Sequence, residues 1–192
     1  IVITLGAGAK NLTATSDFNI YFSDTNPQLV AFKDLEKTYG KQDSLTFFVQ
    51  PDNKNLFTKE NLTLIYELTE KAWDIPYATR VNSLTNYQHT AVDGDDLNTD
   101  YLLDDPDLIS TDKIQYIKNV VLNEPSLINL LTDKNGQVTG VTVRLTMPKD
   151  ISKANSETVF AARDLRQQFA QRYPDVKINL GGSSVAGVSL SD

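Results

Sequence analysis

The chain has 192 residues, a hydrophobic content of 40% and a formal net charge of -7. That length supports one sizeable core or two small ones, and the acidic balance, with no lysine- or arginine-rich stripe, argues against a nucleic-acid partner. Cysteine is absent, which excludes disulfides and thiolate or cysteine-metal chemistry, and no stretch approaches the length needed to span a bilayer.

The opening run, residues 1–5, has no basic leader region and is not a signal peptide as it stands. It reads as a short edge strand at a processed terminus, or else as the start of a fragment cut just beyond a membrane helix. Residues 11–25 are polar and irregular. Asn26-Pro27 then opens a helix, because Asn26 can cap free amides and Pro27 sits where no donor is needed. Phe32, Leu35 and Tyr39 share one face, and Gly40 can close the helix in the left-handed conformation.

Residues 45–50 are too apolar for simple alternation and suit a central strand covered on both faces. Thr58 caps the next helix. Its buried stripe is Leu62, Ile65, Tyr66, Thr69 and Trp73, and Leu64 and Leu68 widen it towards a second contact. Pro76 stops that helix, and residues 79–84 read as a strand. The acid-rich stretch 93–107 is expected to be a long irregular excursion. Ser110 or Thr111 caps a third helix with Ile114, Ile117, Val120 and Val121 on its apolar face. Residues 127–131 and 137–147 flank Asn135-Gly136, which predicts a hairpin. A second strand, helix and strand follow at 141–147, 156–173 and 176–180, and the tail beyond Gly181-Gly182 reads as frayed.

The two strand-helix-strand units echo one another: Pro51 matches Pro148, and Pro76 matches Pro174. Two right-handed units interlocked on one sheet predict an α+β fold of the ferredoxin-like split β-α-β plan. It would have a mixed sheet with helices on one face, plus an inserted helix and hairpin. The expected divisions are a lead-in at 1–25, a single domain at 26–182 with an insertion at 85–136, and a tail at 183–192.

Neither unit carries a catalytic constellation. No catalytic, cofactor-binding or metal-ligating residue is assigned, and no cofactor is expected. His89 is the only histidine; a soluble hydrolase or metal-binding domain using it with Asp93 and Asp95 is the competing class. The stretch 93–107 and Asp133-Lys134-Asn135-Gly136 imitate parts of a calcium loop, but Arg144 stands where the second would need its closing glutamate. Gly6-Ala7-Gly8-Ala9 lacks the strand and helix that frame a dinucleotide loop, and glycosylation triplets at Asn11 and Asn61 are expected by chance. Trp73, Ile75 and Tyr77 cluster at the exit of the first unit's helix, beside the loop of Tyr87. Left accessible, Trp73, Tyr77 and Tyr87 would form a substrate or partner surface; the plainer reading has them closing the core.

These residues also carry a resemblance. Tyr21-Phe22-Ser23-Asp24-Thr25-Asn26-Pro27, Ile75-Pro76-Tyr77-Ala78-Thr79-Arg80-Val81-Asn82-Ser83-Leu84, Gly94-Asp95-Asp96-Leu97 and Arg172-Tyr173-Pro174 together resemble the first large external loop of resistance-nodulation-division exporters. The branch is the one related to mycobacterial large membrane proteins. The resemblance covers nearly the whole chain, and residues 76–90 are its most specific part. Gly181-Gly182 departs from it, since relatives more often carry threonine before glycine. The resemblance implies a non-catalytic periplasmic porter domain of an ion-gradient-driven exporter, with membrane-proximal lead-in and tail, that helps to pass or recognise hydrophobic or lipid-like substrates. It implies transmembrane transport and efflux by a membrane protein. The implied partners are the rest of the transporter, including its membrane helices and a second periplasmic loop, with a homo-oligomer left open. The alternative to transport is an extracytoplasmic binding module.

Overall fold

The computed structural model describes residues 22–39, 43–93, 96–148 and 151–189. In chain order the elements are α1 (Pro27–Tyr39), β1 (Asp43–Pro51), α2 (Lys59–Ala72), β2 (Ala78–Asn82), β3 (Gln88–Asp93), β4 (Asp96–Tyr101), a 3-10 turn (Pro106–Leu108), α3 (Thr111–Asn123), β5 (Thr139–Leu145), α4 (Ile151–Arg172), β6 (Val176–Gly181) and α5 (Ser183–Ser189). The expected edge strand at 1–5, the glycine pair Gly6 and Gly8, Asn11, Gly40 and Asp95 lie outside the described residues.

Four strands form one sheet in the order β2-β5-β1-β6, and β3 and β4 pair separately. Every ladder is antiparallel, which corrects the expected mixed sheet. The physical reason is the interlock. Strand β5 separates β1 from β2, and β1 separates β5 from β6, so strands of like direction never touch. The fold is α+β, built from two strand-helix-strand units.

Side chains alternate across β1 as the pleat requires. Leu45, Phe47 and Val49 are buried and face the helices, joined by Val81, Val141, Val143, Leu145 and Ile178. Helices α2 and α4 pack together against that face. Phe48 points the other way and is 45% exposed. The expectation that residues 45–50 are covered on both faces is therefore corrected: an apolar run hid one outward-facing aromatic ring.

Helix α2 starts where its cap dictates, with Thr58 Oγ1 accepting from the Asn61 amide at 3.2 Å. Leu62, Leu64, Ile65, Leu68 and Ala72 are buried. Full burial of each leucine is worth about 1.5–3 kcal/mol over exposure. The 3-10 turn packs on the second side of this helix, and Leu102, Leu103 and Ile109 join the same core. Helix α1 behaves differently. Asn26 Oδ1 caps it, accepting from the Gln28 amide at 2.9 Å, yet Phe32 and Leu35 stay about half-exposed. Helix α3 is capped by Ser110, whose Oγ accepts from the Lys113 amide at 3.1 Å, and it buries Ile117 and Val121.

Three further expectations are corrected. The hairpin predicted at 127–147 is absent as a ladder: Thr132 and Thr139 make a single antiparallel bridge, and residues 127–131 form a loop that buries Leu127 and Leu131. Its turn is real, with Gly136 at φ +64° against the Phe57 ring. The acid-rich excursion instead contains the β3–β4 hairpin. The tail forms α5, where Ser184 and Val188 are buried, so it is not frayed through Ser189.

The labels of membrane protein and transmembrane transport are also corrected for this segment. Among the described residues no helix is long and apolar enough to cross a membrane. The longest, α4, has 22 residues but carries Lys153, Glu157, Arg163, Asp164, Arg166 and Arg172.

A candidate ligand groove at the first unit's exit

The α2 exit separates the three apolar residues that its sequence clusters. Ile75 is buried and closes the core, whereas Trp73 is 46% and Tyr77 38% exposed. The core-closing reading therefore holds for Ile75 alone. Trp73 keeps a helical backbone as the C-cap, at the edge of the buried stripe of Ile65, Leu68 and Ala72. The helix ends at Ala72, and Tyr77 enters the left-handed region at φ +65°. The two exposed rings then part company.

Tyr77 works as a strap. Its Oη donates to Glu157 Oε2 on α4 at 2.9 Å, and its carbonyl accepts from the Thr146 amide at 3.0 Å. It ties the start of β2 to α4 and to the end of β5, and it does not line the groove described next.

Trp73 opens onto a groove of about 510 Å³, walled by Tyr87 and Tyr101 and edged by Arg80, Asn82 and Asn86. The groove runs beside β2, an edge strand of the main sheet. Asn86 closes part of that edge: its Nδ2 donates to the Val81 carbonyl at 2.8 Å, and its Oδ1 accepts from the Ser83 amide at 2.8 Å. A free strand edge is a template for stray pairing, and such a side chain blunts it. The base of the β3–β4 hairpin is pinned by the amides of Leu102 and Leu103, which donate to the carbonyls of Tyr87 and Thr85 at 3.0 Å each. That pinning holds Tyr87 and Tyr101 at the groove. Behind them, the hydroxyls of Ser83 and Thr85 lie 2.9 Å apart, and Thr85 donates onward to Thr69 at 3.4 Å.

The groove is thus aromatic on its walls, amide-edged, and backed by polar groups that already have partners. With Arg80, Asn82, Ser83, Asn86 and Gln88 set among Trp73, Tyr87 and Tyr101, the lining is mixed and suits an amphipathic body. The Ser83 hydroxyl is engaged by Thr85 and Asn86 rather than by a histidine or carboxylate base.

The other candidate residues lie elsewhere. His89 sits on β3, edge-on to the Tyr116 ring at 6.2 Å, and forms no ion pair among the described residues. Asp133 serves a turn. Burial opposes ionisation of its carboxyl, but hydrogen bonds from the amides of Val138, Gln137 and Asn135 prevail and hold it below the usual aspartate value. Asn61 is buried, and its Nδ2 donates to the Asn55 carbonyl at 2.8 Å, so its glycosylation triplet is not presented. Among the described residues no group of three His, Cys, Asp or Glu side chains is placed to hold a metal. Away from the groove, Asp43 Oδ2, Asn155 Oδ1 and Ser184 Oγ are buried without a hydrogen-bond partner among the described residues.

Sequence reasoning placed Trp73, Tyr77 and Tyr87 together; the structure keeps Trp73 and Tyr87 at one groove and sends Tyr77 to α4. It adds Arg80, Asn86 and Tyr101. The alternating Leu97-Asn98-Thr99-Asp100-Tyr101 was a legible strand signal for Tyr101. No protein-family model matches the chain, and no curated protein matches it.

Proposed function

We propose that this chain is a non-catalytic, substrate-handling domain of the porter type, as its resemblance to resistance-nodulation-division exporters implies. In this reading it lies on the periplasmic side and receives the hydrophobic part of a substrate in the Trp73–Tyr87–Tyr101 groove. The observation that carries the reading is that groove, with its exposed indole beside a pinned hairpin. The interlocked strand order β2-β5-β1-β6 supports the ferredoxin-like part of the reading. A binding module without transport would use the same groove, and reading the gene on either side of this segment separates the two.

The test is photolabelling with a neutral alkyl glycoside that bears a diazirine on its chain, followed by peptide mapping. The expected labels fall on Trp73, on residues 80–88 and on Tyr101. Labels concentrated instead on the half-exposed Phe32 and Leu35 of α1 would overturn the assignment of the groove. His89→Ala is expected to leave the labelling unchanged; a hydrolytic activity that disappears with this substitution would favour the hydrolase.

A further inference from the structure

The uncovered face of the sheet has a regular polar pattern. Register aligns Arg80 with Arg144, Asn82 with Thr142, and Thr142 with Thr46; on β6, Asn179 lies opposite Phe48 and Lys177 opposite Gln50. These outward positions hold three cations and no carboxylate, in a chain of net charge -7. Lys177 at one edge is matched by Asp52 at 3.2 Å. At the other edge, Arg80 and Arg144 stand directly opposite one another on adjacent strands, and both are exposed. Neither makes an ion pair among the described residues; the Arg80 Nε donates only to Asn82 Oδ1, at 2.9 Å. Like charges placed directly across two strands destabilise the pair. Guanidinium groups are suited to gripping a carboxylate or phosphate with paired hydrogen bonds, and such an anion between them offsets the repulsion. Arg80 also edges the aromatic groove.

We propose that Arg80 and Arg144 form an anion clamp at the mouth of the groove, so that the ligand is an amphiphile with a carboxylate or phosphate head and an apolar body. This deepens the groove reading and rests on it. The head lies across β2 and β5 on the open face, and the body lies against Trp73, Tyr87 and Tyr101. Arg80 is shared by both parts of the site, whereas Arg144 touches only the head.

Calorimetric titration below the micelle concentration tests the clamp with three probes of equal chain length: dodecyl maltoside, dodecanoate and dodecyl phosphate. The wild-type chain is expected to bind at least one anionic probe about tenfold more tightly than the neutral one, with the preference shrinking as salt rises. The tighter of the two anions identifies the head. Arg144→Gln is expected to reduce the preference to about threefold and Arg80→Gln with Arg144→Gln to abolish it, while affinity for dodecyl maltoside in Arg144→Gln stays at the wild-type value. Arg144→Lys, which keeps the charge and loses the fork, falls between wild type and Arg144→Gln. Both arginines are exposed, and far-UV circular dichroism checks that each variant is folded. Equal affinity for neutral and anionic probes in the wild type overturns the clamp and leaves the groove standing. A preference that survives in the double variant also overturns the clamp. Binding of none of the three overturns the groove reading and the clamp with it.

Discussion

The two strand-helix-strand units share a tyrosine strap at their exits but differ in what lies beside it. At the second exit, Arg172 grips Glu67 of α2 with both terminal nitrogens, at 2.7 and 3.0 Å, and Tyr173 Oη donates to the same carboxylate at 3.1 Å. Beneath them Phe169 is buried and stacks on Tyr173, with ring centroids 6.1 Å apart. At the first exit Tyr77 likewise reaches a carboxylate on the other helix, Glu157 at 2.9 Å, but Trp73, beside an exposed Lys71–Asp74 contact at 3.5 Å, faces a groove. One grammar of helix, aromatic residue and proline thus serves two ends. An aromatic ring near a helix exit becomes structural when a neighbouring helix offers it an acceptor. Without one it stays available to a ligand.

The largest effect that tests this contrast is on stability. Phe169→Ala should cost about 3–5 kcal/mol, read as a fall in the urea midpoint at unchanged slope. A loss below about 1 kcal/mol would mean that the second exit is no more structural than the first. Glu67→Ala comes next, at about 1 kcal/mol, because it removes a bidentate partner that is only partly buried. The same clamp sets a pH dependence. Burial first, and then the Glu67 charge and hydrogen bond, raise the Tyr173 phenol above its usual value of 10.0. The folded state therefore holds this proton more tightly than the unfolded chain. The contribution is complete below about pH 10 and is lost as pH rises through the raised folded value. Tyr173→Phe should remove that alkaline slope in stability; an unchanged slope would show that the phenol is not its source. The smallest expected stability effect is at the open exit, where Trp73→Ala should shift stability by only about 0.5 kcal/mol while weakening binding of an alkyl probe.

Much of the contrast was legible in the sequence, because the two prolines, Pro76 and Pro174, mark both exits and Thr58, Asn26 and Ser110 mark helix starts. What was not legible has physical causes. A helical period that includes Trp73 cannot show that the buried stripe ends with Leu68, Thr69 and Ala72 and leaves the indole, still on a helical backbone, about half-exposed at its edge. The β3–β4 hairpin is hard to see in an acid-rich stretch because all of β4 is exposed, so the alternation of Leu97, Thr99 and Tyr101 marks no buried face. Asp93 pairs with Asp96 across the hairpin, and the Asp93-Gly94 dipeptide in the sequence was the overlooked turn signal. At 127–131 the apolar residues Leu127 and Leu131 anchor a loop to the core, a role that composition cannot tell from a strand. The arginine pair needed strand register, since Arg80 and Arg144 are far apart in sequence and meet only because β5 inserts between β1 and β2.

The chain contains a single tryptophan, so Trp73 fluorescence reports on the groove without interference from another indole. Titration with a neutral single-chain alkyl glycoside below its micelle concentration tests the central claim most directly. The account predicts a saturable blue shift of Trp73 emission and protection from an aqueous quencher. An emission maximum and quenching that stay unchanged, while the probe demonstrably binds the chain, would contradict it.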